Sequence, residues 1–217
     1  MSKTAGLKIQ ALDFKATLKA LKKRYPDAHC ALNFENPFQL LIATILSAQC
    51  TDIRVNIVTK ELFKKFPDAK AMSEATLPQI EELIHSAGFY KNKAKNIKEC
   101  CLVLVQKYQG QVPKTMEELY ELAGVGRKTA NVVMGNAYGI ASGVVVDTHV
   151  GRLANRFGWV KTLDAVRIEN VLNVMAPKKE WVMLPHYLIS HGRAICKARS
   201  PDCSICFLNS ACPKRGV

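Results

Sequence analysis

The sequence predicts an all-α fold. Apolar residues recur at helical spacing in one segment after another, and capping residues and prolines mark where those segments begin and stop. The one run suited to a strand, Val144 to Val146, is too short to build a sheet. No internal repeat, low-complexity tract or flexible linker interrupts the pattern.

Taken in order, Ala11 to Tyr25 sets Phe14, Leu18, Leu21 and Tyr25 on one face with lysines between, and stops before Pro26. After the polar connection His29 to Asn36, Pro37 starts a helix, Phe38 to Ala48, that is apolar on nearly every face and so predicted to be buried all round. In the run Ser47-Ala-Gln-Cys-Thr-Asp52, Thr51 or Asp52 can cap the next helix, which ends by Phe66 at Pro67. Thr76-Leu-Pro-Gln79 has the form of a capping box and opens a short helix that closes at Gly88. Phe89 and Tyr90 make an aromatic corner, and a lysine-bearing helix runs from about Lys91 to Tyr108 with Gly110 as its stop. Thr115-Met-Glu-Glu118 is a second capping box, opening a segment that reaches Leu122. Helices follow over Arg127 to Tyr138, from Asp147 through Val150, Leu153 and Phe157, over Asp164 to Met175, and over Lys179 to His191.

With 48% hydrophobic residues in 217, the chain can bury a substantial core. Thirty-one Lys plus Arg against eighteen Asp plus Glu leave +13, which favours a polyanionic partner, nucleic acid first and a membrane surface second. The longest apolar run, Leu40 to Leu46, is too short to span a bilayer, and Met1 to Gln10 lacks the apolar core of a secretory signal. The expected setting is intracellular, where cysteines stay reduced or bind metal.

Between Leu122 and Ala130 lie two glycines two apart, Gly124 and Gly126, followed at once by Arg127 and Lys128. Such a turn can take positive φ, approach another molecule closely, and present the amides of a helix start to a phosphate. The helix dipole disfavours cations in that first turn. Either an anion compensates them, or the amine of Lys128, beside Arg127, has a lowered pKa and is partly neutral and nucleophilic. A tight turn with a solvated basic pair is the plain alternative.

Cys196, Cys203, Cys206 and Cys212 fall within seventeen residues, with six, two and five residues between them. Four thiolates so close suit a tetrahedral zinc or a 4Fe-4S cluster, and the single close pair argues against zinc, whose modules bring two. Cys30, Cys50, Cys100 and Cys101 show no such spacing and read as core thiols. Lys197 and Arg199 lie on the loop between the first two ligands, where they serve either as phosphate contacts or as a solvated loop.

Together, Gly124-Val-Gly-Arg-Lys-Thr-Ala-Asn131, Val146-Asp-Thr-His149, Ser47-Ala-Gln49 with Thr51-Asp52, and the cysteine spacing resemble the endonuclease III family, in the iron-sulfur branch of the helix-hairpin-helix DNA glycosylase superfamily. The likeness covers nearly the whole chain. It departs at Ala123, where the family usually has proline, and at Phe89, where leucine is common. The resemblance implies a six-helix domain over about residues 30–140, and a second domain of 1–29 plus 141–217 that carries a 4Fe-4S cluster, with a cleft between them. It also implies a bifunctional glycosylase and abasic-site lyase acting on oxidised pyrimidines in duplex DNA, monomeric, off the membrane and nucleoid-associated in the cytoplasm.

By the same match, Lys128 attacks the sugar C1′ as a neutral amine and Asp147 stabilises the cation that develops there. A lysine amine at its ordinary pKa of about 10.4 is almost wholly protonated at neutral pH, so this chemistry needs the lowered pKa. Phe89 is the apolar wedge and Gln49 fills the hole opposite the extruded nucleotide, while Gly124, Gly126 and Arg127 hold the backbone. Ser47, Asp52, His149 and Arg152 line the base pocket. Without the match, Phe89 reads as a core aromatic, Asp147 as a helix cap and His149 as a core or capping residue. Adenine-mismatch relatives lack a lysine at the position of Lys128, so the residue marks strand cleavage. A hairpin that only grips the DNA backbone, and an electron carrier built on the cysteines, are the competing functions.

Overall fold

The computed structural model describes residues 10–217, which leaves nearly all of Met1 to Gln10 and the start of the 1–29 segment outside the described residues. Among the described residues every regular element is helical, and no helix is long and apolar enough to cross a membrane. The chain divides into two compact units, Cys30–Ser142 and a discontinuous one joining the described residues up to His29 to Gly143–Val217.

The discontinuous unit holds α1 (Phe14–Arg24), followed after the other unit by α9 (Thr148–Arg156), α10 (Ala165–Met175) and α11 (Met183–Ala194). Asp13 caps α1 by accepting the Ala16 N–H, and Asp164 caps α10 by accepting that of Arg167. Residues far apart in sequence close the core: the Leu12 N–H donates to the Phe157 carbonyl at 2.9 Å, and the Trp159 indole N–H donates to the Leu12 carbonyl at 2.9 Å. The rings of Phe14 and Phe157 flank Trp159 at 4.9 and 5.0 Å.

The Cys30–Ser142 unit holds α2 (Pro37–Leu46), α3 (Asp52–Lys65), α4 (Ala69–Glu74), α5 (Leu77–Ile84), α6 (Tyr90–Tyr108), α7 (Met116–Tyr120) and α8 (Arg127–Tyr138). As its composition requires, α2 is buried on all sides from Leu40 to Leu46 and packs on α8 and α3. The fold differs from the sequence-based expectation in local ways. Helix α4 has no counterpart there, since six residues are too few to display a period; Asp68 caps it by accepting the Ala71 N–H. Helix α2 ends at Leu46, two residues early, because the Cys50 N–H closes a turn onto the Ser47 carbonyl. Helix α6 stops on Gln109, left-handed at φ 54°, before Gly110. The segment expected to be helical from Lys179 is a 3-10 turn, Lys178–Glu180, and α11 starts at Met183, which places Pro185 third, where no helical N–H is needed.

Candidate functional site

The hairpin links α7 to α8. Leu122 and Val125 are buried and join through a Val125 N–H to Leu122 carbonyl bond of 3.1 Å, which pins the turn to the core. The two glycines do different work. Gly124 has φ 77°, and a Cβ there would stand 3.1 Å from Asn96 Cβ and 3.3 Å from Ile45 Cγ2, so both conformation and space demand glycine. Gly126, expected to share the positive φ, is extended at φ −102° and serves as the N-cap of α8, with no side chain capping the helix. Its amide end thus faces outward with its dipole. A Gly124→Ala substitution is expected to cost about 1–2 kcal/mol of stability and to weaken duplex binding, read from thermal melts and a filter-binding titration.

Arg127 and Lys128 occupy the first two positions of α8 and are exposed. Lys128 thus stands two residues after Gly126, in the turn that the hairpin opens. Elsewhere in this unit, Gln49 and Phe89 project from backbone in the left-handed region, at φ 52° and 47°. Side chains other than glycine adopt that conformation at a cost of about 1–2 kcal/mol each, and such strain collects at working positions. Gln49 is exposed and Phe89 is 66% exposed, so the core-aromatic alternative does not hold for Phe89. Ser47 is the C-cap of α2 and donates to the Thr44 carbonyl at 2.8 Å; Asp52 is the first residue of α3, whose cap is Thr51.

The remaining predicted residues stand on the discontinuous unit. Asp147 caps α9, its Oδ1 accepting the Val150 N–H at 2.8 Å while Oδ2 lies 3.2 Å from His149 Nδ1. One carboxylate oxygen is thus fixed by the backbone and the other by a titratable neighbour. The Arg152 guanidinium donates to the carbonyls of Gly192, at 3.1 Å, and Cys196, at 3.0 Å. Gly192 leaves it room, since a Cβ there would stand 2.9 Å from Arg152 Nη2.

Cys196, Cys203, Cys206 and Cys212 line one cavity with Arg156, His191 and Asn209. The sulfurs surround this space rather than closing on a point: among the described residues, no three His, Cys, Asp or Glu side chains are placed to hold one metal ion. The donor chemistry fits thiolates. Arg156 Nη1 donates to Cys196 Sγ at 3.3 Å and the Leu208 N–H to Cys206 Sγ at 3.4 Å. Burial pushes the Cys206 and Cys212 thiols up, the Leu208 and Lys214 N–H groups oppose it, and the neighbouring cysteines add to the rise, so ionising these two calls for cationic compensation. On the loop, Lys197 pairs with Asp202 at 2.8 Å and Arg199 is exposed.

Arg156 is the residue that sequence reasoning missed. Only 5% exposed, it donates to the carbonyls of Lys197 at 2.6 Å and Ala198 at 3.0 Å as well as to Cys196. Its signal was a charge three residues from Leu153 and next to Phe157 on the apolar side of α9. Arg156→Met is expected to cost about 3 kcal/mol, because several buried acceptors lose their donor, and to lower the iron bound per chain; urea midpoints and metal analysis report the two effects.

Residues 42–178 match the family described as HhH-GPD superfamily base excision DNA repair protein, and residues 196–212 match the iron-sulfur binding domain of endonuclease III. The chain is 53% identical to endonuclease III of Synechocystis sp. over 196 residues, covering 90% of each chain. It is 42% identical to endonuclease III of Bacillus subtilis over 207 residues, covering 95% of this chain and 93% of the relative. Among solved structures it resembles a trapped endonuclease III–DNA covalent intermediate, with TM-score 0.87 and 46% identity over 91% of this chain and 93% of that one.

Proposed function

Since the chain belongs to the HhH-GPD superfamily of base excision DNA repair proteins, we propose a role for each residue of its site in the removal of oxidised pyrimidines from duplex DNA. The protein is a DNA glycosylase and abasic-site lyase that carries a 4Fe-4S cluster. The observation that carries the assignment is the exposed Lys128 amine in the first turn of α8, directly after the glycine hairpin.

A base inside the stack is out of reach, so the nucleotide is extruded; Phe89 wedges the step open and Gln49 occupies the vacated place. The hairpin amides, Arg127 and the Lys197 to Arg199 loop grip phosphates on the strand. The nitrogen of Lys128 bonds to C1′ as the bond from C1′ to the base breaks and the departing base takes up a proton. Asp147 faces the positive charge that grows on the sugar and accepts the proton that the amine sheds. The C1′–O4′ bond of the sugar ring then opens, O4′ taking up a proton and C1′ becoming the carbon of a Schiff base with the Lys128 nitrogen, and loss of a C2′ proton from it breaks the C3′–O bond, which cuts the strand. We read Ser47, Asp52, His149 and Arg152 as contacts of the extruded base. Arg152, engaged with the Gly192 and Cys196 carbonyls, steadies the cysteine segment.

Cys196, Cys203, Cys206 and Cys212 ligate the cluster, which supplies a pinned scaffold for the basic loop and no electrons, base release and elimination being redox-neutral. We read the protein as a monomer acting on DNA in the nucleoid and not at a membrane. Incubation with a thymine glycol duplex under borohydride tests the assignment: a covalent protein–DNA product is expected, and strand cleavage with no trapped product would overturn it.

A further inference from the structure

We propose that Lys93 is a positioning residue for lesion opening, its ammonium tying together the two backbone segments that carry Gln49 and Phe89. The inference rests on the reading of those two side chains as the ones that enter DNA. Lys93 stands in the first turn of α6 and is only 5% exposed. A lysine head so deep needs strong partners, and both are main-chain carbonyls: Leu46 at 2.8 Å and Ala87 at 2.8 Å.

Their places in the chain matter. Leu46 is the last residue of α2, three before Gln49, and Ala87 closes the 3-10 turn His85–Ala87, two before Phe89. Each carbonyl ends a helical segment, where the backbone leaves acceptors over and the dipole favours a cation. The Lys93 N–H also donates to the Phe89 carbonyl at 3.1 Å. One residue therefore holds Phe89 by its backbone and, through its side chain, the approaches to both Phe89 and Gln49. A lysine side chain leans toward the start of its helix, and its long stem is what reaches back to Ala87 and across to Leu46. Burial holds its amine below the ordinary value.

Both tips sit on left-handed backbone, which persists only where the surroundings over-determine it. Pushing a side chain between bases loads the turn behind it with an equal opposing force. If that turn yields, the side chain folds back and the bases stay stacked. Lys93 makes the two turns one mount, so the deformation falls on the DNA.

Lys93→Met keeps the stem and removes the donors. Base removal from a thymine glycol duplex is expected to fall about tenfold or more, while cleavage of a single-stranded abasic oligonucleotide, which needs no opening, stays within about twofold. The fluorescence rise of 2-aminopurine beside the lesion on binding should shrink correspondingly. In a background with both Gln49→Ala and Phe89→Ala the further loss should be under about threefold, since Lys93 acts through those two side chains. Lys93→Gln, retaining donors, serves if the Met variant does not fold, and is expected to show a smaller loss of the same pattern. Equal loss on single and double strands, unchanged duplex activity and fluorescence, or a loss that multiplies in full with the Gln49→Ala, Phe89→Ala pair would each overturn the proposal. Wild-type protein that unstacks the duplex yet releases no base would instead overturn the assigned function and leave Lys93 standing.

Discussion

Replacing Lys128 with glutamine should reduce base release and borohydride trapping more than about a thousandfold, equivalent to about 4 kcal/mol of lost transition-state stabilisation. The variant should nonetheless fold as well as the parent, within about 0.5 kcal/mol, because the side chain is exposed on the first turn of α8. Duplex affinity should weaken only modestly, with the salt dependence of binding reduced by about one counterion. Single-turnover kinetics, trapping gels and a salt titration measure the three quantities. Trapping at the parental level would place the nucleophile elsewhere. Base release that survives while trapping vanishes would mean that water, not the amine, attacks the sugar.

Asp147→Asn is expected to slow base release by about a hundredfold to a thousandfold with no loss of stability. Asparagine caps a helix about as well as aspartate does, so the bond from the Val150 N–H survives, and the lost charge beside His149 Nδ1 is a partly exposed pair worth little to stability. Asp147→Ala adds about 1 kcal/mol of destabilisation from the lost cap, which separates the structural role from the chemical one. Full activity in the asparagine variant would reduce Asp147 to a cap.

What could be read from the sequence was local. The capping box Thr76 to Gln79, the cap at Asp147 and the helix Arg127 to Tyr138 each depend on residues within a turn or two of one another, and all appear in the structure. So does the glycine pair, although its two members take opposite conformations: a dipeptide pattern says that a turn is needed and not which residue bends it. The exposure of Phe89 follows from a left-handed corner that no propensity would assign to phenylalanine. Arg156 and Lys93 were illegible because their partners lie 40 and 47 residues away. In the sequence each is one more basic residue among thirty-one. Only folding reveals that their charges point inward, at carbonyls whose need for a donor is set by where helices happen to stop.

The bonds between Leu12 and the segment around Phe157 and Trp159 bear on synthesis. On the ribosome, the stretch Cys30–Ser142 emerges with all its own packing partners and can fold as it leaves the tunnel. The first helix has no such company; it must wait for more than a hundred further residues before Phe157 and Trp159 arrive to receive it. The cysteines come later still. The nascent chain therefore has its hairpin built long before it has anywhere to put iron, and Phe14, Leu18 and Leu21 spend that interval as an apolar stripe still waiting for its cover.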